Sequence, residues 1–273
     1  MNLHERLSLN RVAKPQIPLA EFLKFTADLG MRYAEVRNDF TDKGILDGLS
    51  DRELGKALAE HGVKIVSINA LYPFEYGKLL KENVEKLKLL VAEAKRIDCP
   101  YIVMCPFNEA KDRRSSAERA GDLVSALDAY GPPLAEAGMK GLIEPLGFEV
   151  SSLRTKRAAL DGIARCAYPD SFMLLHDTFH HFLSGEQDLF PKQTGLVHVS
   201  GVVAGKPKSA ITDDDRILVT PEDIMDTRGQ VRALCDGGCA APISYEPFAP
   251  SIRAMALSEL RGAILRSVKH LLG

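Results

Sequence analysis

The segment Ser171-Phe-Met-Leu-Leu-His-Asp177 is a short apolar run that ends in a carboxylate. Runs of this kind are typical of parallel strands that are buried on both faces. Seven further segments have the same character and bring the number of predicted strands to eight. They are residues 7–12, 32–37, 63–69, 100–105, 140–144, 195–200 and 242–246.

The segments between these strands carry helical periodicity and helix-capping residues. Ser50-Asp-Arg-Glu53 and Ser115-Ser-Ala-Glu118 are typical capping boxes, and Thr220-Pro-Glu-Asp223 has a similar pattern. Residues 79–97 and 256–272 predict two long amphipathic helices. Repeated alternation of strand and helix in a chain of 273 residues predicts a single (β/α)8 barrel, the TIM-barrel class. An open doubly wound sheet is the alternative, and it is disfavoured because no G-x-G-x-x-G segment follows the first strand.

The composition limits the classes of protein to which the chain can belong. With 45% hydrophobic and 26% charged residues, the chain can bury a sizeable core, and we expect one domain over residues 1–273. The formal charge of −2 gives no electrostatic reason to expect nucleic acid as a partner. No apolar run approaches the roughly 20 residues that span a bilayer, and MNLHERLSLNRV is too polar for a secretory signal, so we expect a cytoplasmic protein without membrane contact. The five cysteines are scattered, which favours reduced and mostly structural thiols.

Ionisable residues lie at the ends of predicted strands five to eight: Glu144, Asp177, His198 and Glu246. Each alone could be the first loop residue or a structural histidine. A closed barrel, however, gathers these strand ends at one rim, where barrel active sites are built. Three carboxylates and one imidazole form a donor set suited to one divalent ion, Mn²⁺ or Zn²⁺ first and Mg²⁺ or Co²⁺ next. The lack of thiolates disfavours a structural zinc site.

Three histidines surround Asp177 and have different expected roles. His180 lies three residues beyond Asp177, where a single turn returns it to the same side, so we expect it to contact substrate rather than metal. A hydrogen bond to a loop carbonyl is the alternative for His180. His176 precedes Asp177 on the strand and should point to the opposite face, towards the helices. The sequence assigns no role to His181.

Two further segments supply candidate substrate-binding residues. Glu35 and Arg37 are two apart on the second strand and therefore share one face. We expect that face to be the barrel interior, where the pair would neutralise each other and reach the substrate, rather than a solvated strand end. The run Thr212-Asp-Asp-Asp-Arg216 follows strand seven on the same rim. It is either an acidic surface loop or a segment whose Arg216 binds substrate.

With these residues, the sequence resembles the sugar phosphate isomerase/epimerase superfamily of xylose isomerase-like barrels. Within it, the chain is most similar to the inosose (2-keto-myo-inositol) isomerases. The similarity runs over nearly the whole chain. Besides the four strand-end residues, it rests on Tyr33-Ala-Glu-Val-Arg37, Ser67-Ile-Asn-Ala-Leu71, Asp177-Thr-Phe-His180, Thr212-Asp-Asp-Asp-Arg216 and Tyr245-Glu246-Pro-Phe.

The resemblance implies that the four strand-end residues bind the metal and that two of them, Glu144 and Glu246, also transfer protons. It implies that His180 and Arg216 hold substrate oxygens. One departure concerns the loop that borders the substrate. Relatives usually follow the Asp-Arg pair with a Pro-Gly-x-Gly turn, whereas this chain reads Ile217-Leu-Val-Thr-Pro-Glu-Asp. The exact substrate is therefore left open.

The chemistry of the donor set agrees with that implication. Two adjacent oxygens of a hydroxy ketone can chelate a divalent ion, which polarises the carbonyl and stabilises an enediolate. One carboxylate can then remove a proton and another return it, to the neighbouring carbon for isomerisation or to the opposite face for epimerisation. The expected partner is a small sugar or inosose such as 2-keto-myo-inositol, with a ketose 3-epimerase or a hydroxypyruvate isomerase as the alternative; a homo-oligomer is left open.

Two other classes of protein fit the sequence less well. The apurinic-site endonucleases share the fold but need additional histidines at strand ends two to four, and these strands end in Arg37, Asn69 and Cys105. The near-neutral charge also disfavours DNA as a ligand. A sugar-binding barrel without catalysis is the remaining alternative. It would bind metal without exchanging substrate C–H protons with D₂O.

Overall fold

Eight parallel strands form a closed barrel in the computed structural model, which describes residues 3–40 and 44–273. The strands follow one another in chain order, and the last pairs with the first. The predicted (β/α)8 barrel is therefore confirmed. The strands are β1 (Leu7–Asn10), β2 (Tyr33–Arg37), β3 (Lys64–Leu71), β4 (Tyr101–Met104), β5 (Lys140–Ile143), β6 (Phe172–Asp177), β7 (Thr194–Val199) and β8 (Ile243–Tyr245).

Helices pack around the outside of these strands. They are α1 (Leu19–Asp28), α2 (Asp51–His61), α3 (Leu80–Arg96), α4 (Ser116–Ala137), α5 (Lys156–Arg165), α6 (Thr178–Ser184), α7 (Thr227–Asp236), α8 (Pro250–Ala254) and α9 (Leu257–Leu272). The predicted capping boxes form at Ser50, before α2, and at Ser115, before α4. Within the described ranges, no helix combines the length and the apolar character needed to cross a membrane.

Two segments at the rim differ from the elements predicted for them. β1 ends at Asn10 rather than two residues later, because the Asn10 side chain caps a 3-10 turn at Arg11–Ala13. Thr220 does not open a helix. α7 begins instead at Thr227, and its cap is Asp226. The capping pattern at Thr220 thus belongs to a loop of the rim.

The interior of the barrel has an apolar layer below its polar rim. Leu142, Leu175 and Leu196 are buried and pack with Val66 and Val103. Strand side chains alternate between the two faces of a sheet, so each leucine shares the interior with the residue two positions further along. Those residues are Glu144, Asp177 and His198, three of the four ionisable groups at the strand ends. The leucine layer therefore closes the barrel beneath the candidate site.

Gly147, in the loop after β5, packs directly against the backbone of α6. A Cβ added there would overlap the carbonyl oxygen of His180. We expect Gly147→Ala to lower the free energy of unfolding by about 1–3 kcal/mol, because overpacking forces the backbone to move. The matched control is Gly121→Ala in α4, where a Cβ meets no atom within 4 Å. It should raise that free energy by about 0.5–1 kcal/mol. Urea unfolding measures both, and equal effects would contradict the steric argument.

Candidate active site and metal centre

Four ionisable side chains meet at the C-terminal rim of the barrel. Glu144 directly follows β5, Asp177 ends β6, His198 lies in β7 and Glu246 directly follows β8. One ligand atom from each residue lies within 4.8 Å of the others, and all four residues are buried. The structure therefore brings together the four residues that the sequence predicts as a metal-binding set.

The two ring nitrogens of His198 face different groups. Nδ1 lies 3.2 Å from Glu144 Oε1, 3.0 Å from Glu246 Oε2 and 3.9 Å from Asp177 Oδ2. Nε2 lies 3.1 Å from Glu35 Oε2. Burial alone would lower the pKa of His198, but the charges of Glu246, Glu35 and Glu144 outweigh it and hold this pKa well above its ordinary value. Nδ1 is thus the nitrogen directed at the three carboxylates of the set.

The chemistry of this set fits a divalent ion. Three carboxylates concentrate negative charge in a buried place, and Arg216 and Arg37 offset part of that charge. Carboxylate oxygens and an imidazole nitrogen are ligands that Zn²⁺ and Mn²⁺ accept, and carboxylates also suit Mg²⁺. The four residues could therefore hold one metal ion, with Nδ1 of His198 as the imidazole ligand.

Arg216 reaches into this set from the loop after β7. Its Nη2 donates to Asp177 Oδ2 at 2.6 Å and to Glu246 Oε2 at 2.8 Å. The guanidinium lies over the rings of Phe179 and Phe248, whose centroids are 4.8 and 4.7 Å from Cζ. Arg216 is buried. The Thr212–Arg216 run thus places its arginine inside the site rather than on the surface.

Glu144 and Glu246 stand in different surroundings. Arg37 Nη1 donates to Glu246 Oε1 at 2.9 Å, while Arg216 occupies Oε2. Burial alone would raise the pKa of Glu246, but the charges of His198, Arg216 and Arg37 outweigh it and hold this pKa well below its ordinary value. Glu144 Oε2 instead accepts a hydrogen bond from the Cys105 thiol at 3.2 Å.

Glu35 and Arg37 share the interior face of β2 but contact different groups. Arg37 donates to Glu246 and to Asp39, whereas Glu35 contacts His198. The mutual ion pair expected from the sequence is therefore replaced by separate partners. The two side chains reach different partners because they lie at different depths in the barrel. Residues two apart on a strand are separated by about 6–7 Å along it. Glu35 is not among the described residues that line the cavity above the set.

That cavity has a volume of about 280 Å³ and opens at the rim. Glu144 and Glu246 line it, as do the side chains predicted to bind substrate at positions 37, 180 and 216. Phe148 and Phe248 contribute apolar surface, and several asparagines contribute amides. The cavity thus combines two proton-transfer candidates with many hydrogen-bonding groups.

His180 lies near the start of α6 and lines this cavity. Its ring packs edge-on against Phe148 and Phe179, with centroid distances of 5.2 and 5.1 Å. Within the described ranges, its buried Nδ1 has no hydrogen-bond partner. Burial, together with the charge of Arg216, lowers the pKa of His180 to about 4. The ring is therefore neutral near pH 7 and offers one donor and one acceptor.

The two neighbouring histidines lie outside the cavity. His176 Nε2 is 3.0 Å from Gln230 Oε1 of α7, so His176 faces the helices, as its position on the strand predicts. His181 Nδ1 lies 2.7 Å from Lys156 Nζ. Neither histidine is among the residues that line the cavity.

Three polar residues that were assigned no functional role from the sequence complete the site: Asn10, Asn69 and Cys105. Asn10 Nδ2 donates to Glu246 Oε1 at 3.1 Å, and Asn69 lines the cavity. All five thiols are free, and Cys105 departs from the structural role expected of the cysteines because it lines the cavity. Burial and the charge of Glu144 raise the pKa of the Cys105 thiol well above its ordinary value. Their positions could have identified them as site residues, since each of the three lies at or near the end of a strand.

Comparisons with known proteins agree with the barrel fold. The family model described as a xylose isomerase-like TIM barrel matches residues 23–271. A xylose isomerase domain-containing protein from Salmonella typhimurium LT2 is 32% identical, covers 100% of both chains and superposes with a TM-score of 0.90. The IolI protein, solved with a zinc atom, is 20% identical over 98% of both chains, with a TM-score of 0.87. The D-psicose 3-epimerase of Clostridium cellulolyticum H10 is 13% identical over 98% of this chain and 99% of its own, with a TM-score of 0.73. No curated protein sequence gives a significant match.

Proposed function

The chain belongs to the xylose isomerase-like TIM-barrel family, and we propose that it is a metal-dependent isomerase or epimerase of a small polyhydroxy ketone. One observation carries the proposal. The buried set of Glu144, Asp177, His198 and Glu246 adjoins a cavity, and both glutamates of the set line that cavity. Two carboxylates that border one small cavity can act on a substrate held between them.

The size and lining of the cavity support a small polyol as substrate. A volume of about 280 Å³ is near the lower end for small-molecule sites. Asn38, Asn69 and Asn108 offer amide donors and acceptors for hydroxyl groups, and Asp213 offers a carboxylate. The aromatic side chains can pack against the carbon skeleton of a sugar or cyclitol.

A divalent ion held by the four residues would polarise the substrate carbonyl as a Lewis acid. We propose Zn²⁺ or Mn²⁺ as this ion, and the donor set also suits Mg²⁺ and Co²⁺. The zinc atom in the structure of IolI, a protein of the same fold, supports the choice of zinc.

In this proposal the protein moves the proton with its two glutamates. One of Glu144 and Glu246, as a carboxylate, takes a proton from a substrate carbon. The other, as a carboxylic acid, gives a proton of its own to the opposite face of that carbon or to the neighbouring carbon, and in the second case the hydroxyl proton also moves to the former carbonyl oxygen. Arg37 and Arg216 orient Glu246 through their hydrogen bonds and also face the cavity. The neutral ring of His180 can bind a substrate oxygen as donor or acceptor.

We propose 2-keto-myo-inositol as the substrate, which would place the reaction in inositol catabolism. The support is the similarity of the site segments to those of inosose isomerases. A ketose 3-epimerase is the alternative, supported by the D-psicose 3-epimerase that shares the fold, and a hydroxypyruvate isomerase is another. The loop from Ile217 to Asp223 directly follows the cavity residue Arg216 and lacks the turn usual in relatives, so substrate choice is expected to depend on it.

Proton NMR in D₂O tests the proposal. The metal-loaded protein is incubated with a panel of inososes, ketohexoses and hydroxypyruvate. We expect one compound to exchange a C–H proton next to its carbonyl and to give an isomer or epimer. Metal binding without exchange in any compound would instead indicate a sugar-binding barrel without catalysis.

His180→Ala tests the role of the neutral histidine. We expect metal binding to stay nearly unchanged, since His180 lines the cavity and is not one of the four clustered ligand residues. Turnover should fall by at least about tenfold, because removing a positioned proton-transfer or oxygen-binding group typically costs roughly 10²–10⁴-fold. His181→Ala, one residue further on and outside the cavity, is the matched control and should keep its turnover. Loss of metal stoichiometry in His180→Ala, measured by elemental analysis, would mean that His180 binds metal instead.

A further inference from the structure

Glu35 is fully buried, and both of its carboxylate oxygens are occupied. Oε1 accepts a hydrogen bond from Asn10 Nδ2 at 3.3 Å. Oε2 accepts hydrogen bonds from Ser67 Oγ and from Asn69 Nδ2, the latter at 3.0 Å, and lies 3.1 Å from His198 Nε2. Asn10 on β1 and Ser67 on β3 are the direct cross-strand neighbours of Glu35. The adjacent strands thus fix the carboxylate from both sides.

The contact between Glu35 and His198 joins β2 to β7 through the barrel interior. Nδ1 of His198 faces Glu144 and Glu246, so Nε2 is the nitrogen left for Glu35. An acceptor at one ring nitrogen of a histidine keeps the proton there and leaves the lone pair of the other nitrogen free. Carboxylates commonly orient metal-binding histidines in this manner.

We propose that Glu35 is a positioning residue that accepts the Nε2–H of His198 and thereby presents Nδ1 to the divalent ion. The inference rests on the metal-dependent function proposed above. It gives Glu35 a different role from the substrate contact expected from the sequence. Support for this role comes from burial, because Glu35 is not among the described residues that line the cavity where substrate would sit.

Glu35→Gln and Glu35→Ala separate the parts of this interaction. Glutamine keeps one acceptor oxygen but loses the charge, and alanine removes both. Loss of the group that supports a ligating histidine typically weakens metal binding by roughly 10–100-fold. We therefore expect zinc affinity to fall from wild type to Glu35→Gln to Glu35→Ala, with the alanine variant about 10–100-fold weaker. Competition with a chromophoric chelator at one fixed pH measures the affinities.

A second measurement follows the His198 ring itself. Imidazole NMR of the nitrogen-labelled, zinc-loaded wild type should show Nε2 protonated and hydrogen-bonded, with its proton protected from exchange. His198→Ala assigns that signal by removing it. In Glu35→Ala the protected proton should disappear, because nothing accepts it. This signal shows whether Glu35 accepts the Nε2–H, and the zinc affinities show whether that hydrogen bond also supports metal binding.

Glu75→Gln is the matched control. Glu75 is as buried as Glu35, accepts hydrogen bonds from the backbone of Phe107 and from Arg114, and is not one of the four clustered ligand residues. We expect Glu75→Gln to lower the melting temperature and to leave zinc affinity unchanged. The control therefore measures what the loss of a buried, hydrogen-bonded carboxylate does by itself.

Two outcomes distinguish this inference from the function on which it rests. Wild-type zinc affinity and an unchanged Nε2–H signal in folded Glu35→Ala would overturn the positioning role. If that variant fails to fold, wild-type affinity and signal in the nearly isosteric Glu35→Gln would overturn it equally. A wild-type protein that binds none of the four divalent ions would overturn the proposed function instead.

Discussion

Asp177→Ala and His198→Ala should each weaken zinc binding by more than about 100-fold. Loss of a supporting group already costs roughly 10–100-fold, and loss of a direct ligand should cost more. Both residues are buried within the set, so the missing ligand has no obvious substitute. Turnover of the proposed polyhydroxy ketone substrate should be lost together with the metal.

Thermal unfolding provides a measurement that does not depend on activity. A ligand that binds only the folded state stabilises it by about 2.7 kcal/mol at 100 times its Kd. The melting temperature of the wild type should therefore rise when zinc is added, and those of the two variants should not rise at the same zinc concentration. Calorimetric titration gives the affinities directly.

His176→Ala is the matched control for His198→Ala. His176 is also a fully buried histidine of the barrel, but its ring faces Gln230 rather than the carboxylates. We expect His176→Ala to lose stability while its zinc affinity and its zinc-induced rise in melting temperature remain. A His198→Ala protein that binds one zinc ion with wild-type affinity would contradict the assignment of the metal site.

The barrel and the assembly of its four strand-end residues could be predicted because each depends on local pattern. A parallel strand buried on both faces is mostly apolar, so an ionisable residue at its C-terminal end marks the point where the strand leaves the core. In a closed parallel barrel all such points lie on one rim. Glu144, Asp177 and Glu246 mark three of them, and alternation correctly placed His176 on the outer face.

The partners of Glu35 could not be predicted in the same way. Spacing gives the face of a strand on which a side chain lies but not its depth relative to other strands, which depends on register. The pairing of Glu35 with Asn10 and Ser67, and the reach of His198 across the barrel, emerge only when all strands are aligned. The direct hydrogen bond of Arg216 to Asp177 likewise depends on the path of a loop.

The loop between β7 and α7 shows a similar limit of prediction from local sequence. Thr220-Pro-Glu-Asp223 has the composition of a helix start, but Asp223 is used differently. Its carboxylate accepts hydrogen bonds from the backbone of Val202, at 2.9 Å, and of Thr227, at 2.9 Å. An acidic side chain can satisfy the backbone of a loop as well as that of a helix. Local composition therefore predicts a capping interaction but not the segment that receives it.

Glu144→Gln and Glu246→Gln should each lose nearly all turnover while keeping some metal. An amide oxygen can still coordinate an ion, but an amide cannot accept the substrate proton. General acid–base catalysis typically contributes roughly 10²–10⁴-fold to the rate, so each variant should fall by at least that factor. Glu75→Gln, in which the substituted carboxylate lies outside the four clustered ligand residues, is the control and should turn over normally once folded.

The two defects should differ in kind, because the two glutamates have different neighbours. Glu246 is held by Arg37 and Arg216, whereas Glu144 is contacted by the Cys105 thiol. The variant that lacks the abstracting base should stop exchanging the substrate C–H proton with D₂O. The variant that lacks the returning acid should continue that exchange without forming product. Proton NMR in D₂O separates these two behaviours, and a metal-loaded, folded Gln variant with near wild-type turnover would refute the two-glutamate mechanism in favour of a base outside the metal-binding set.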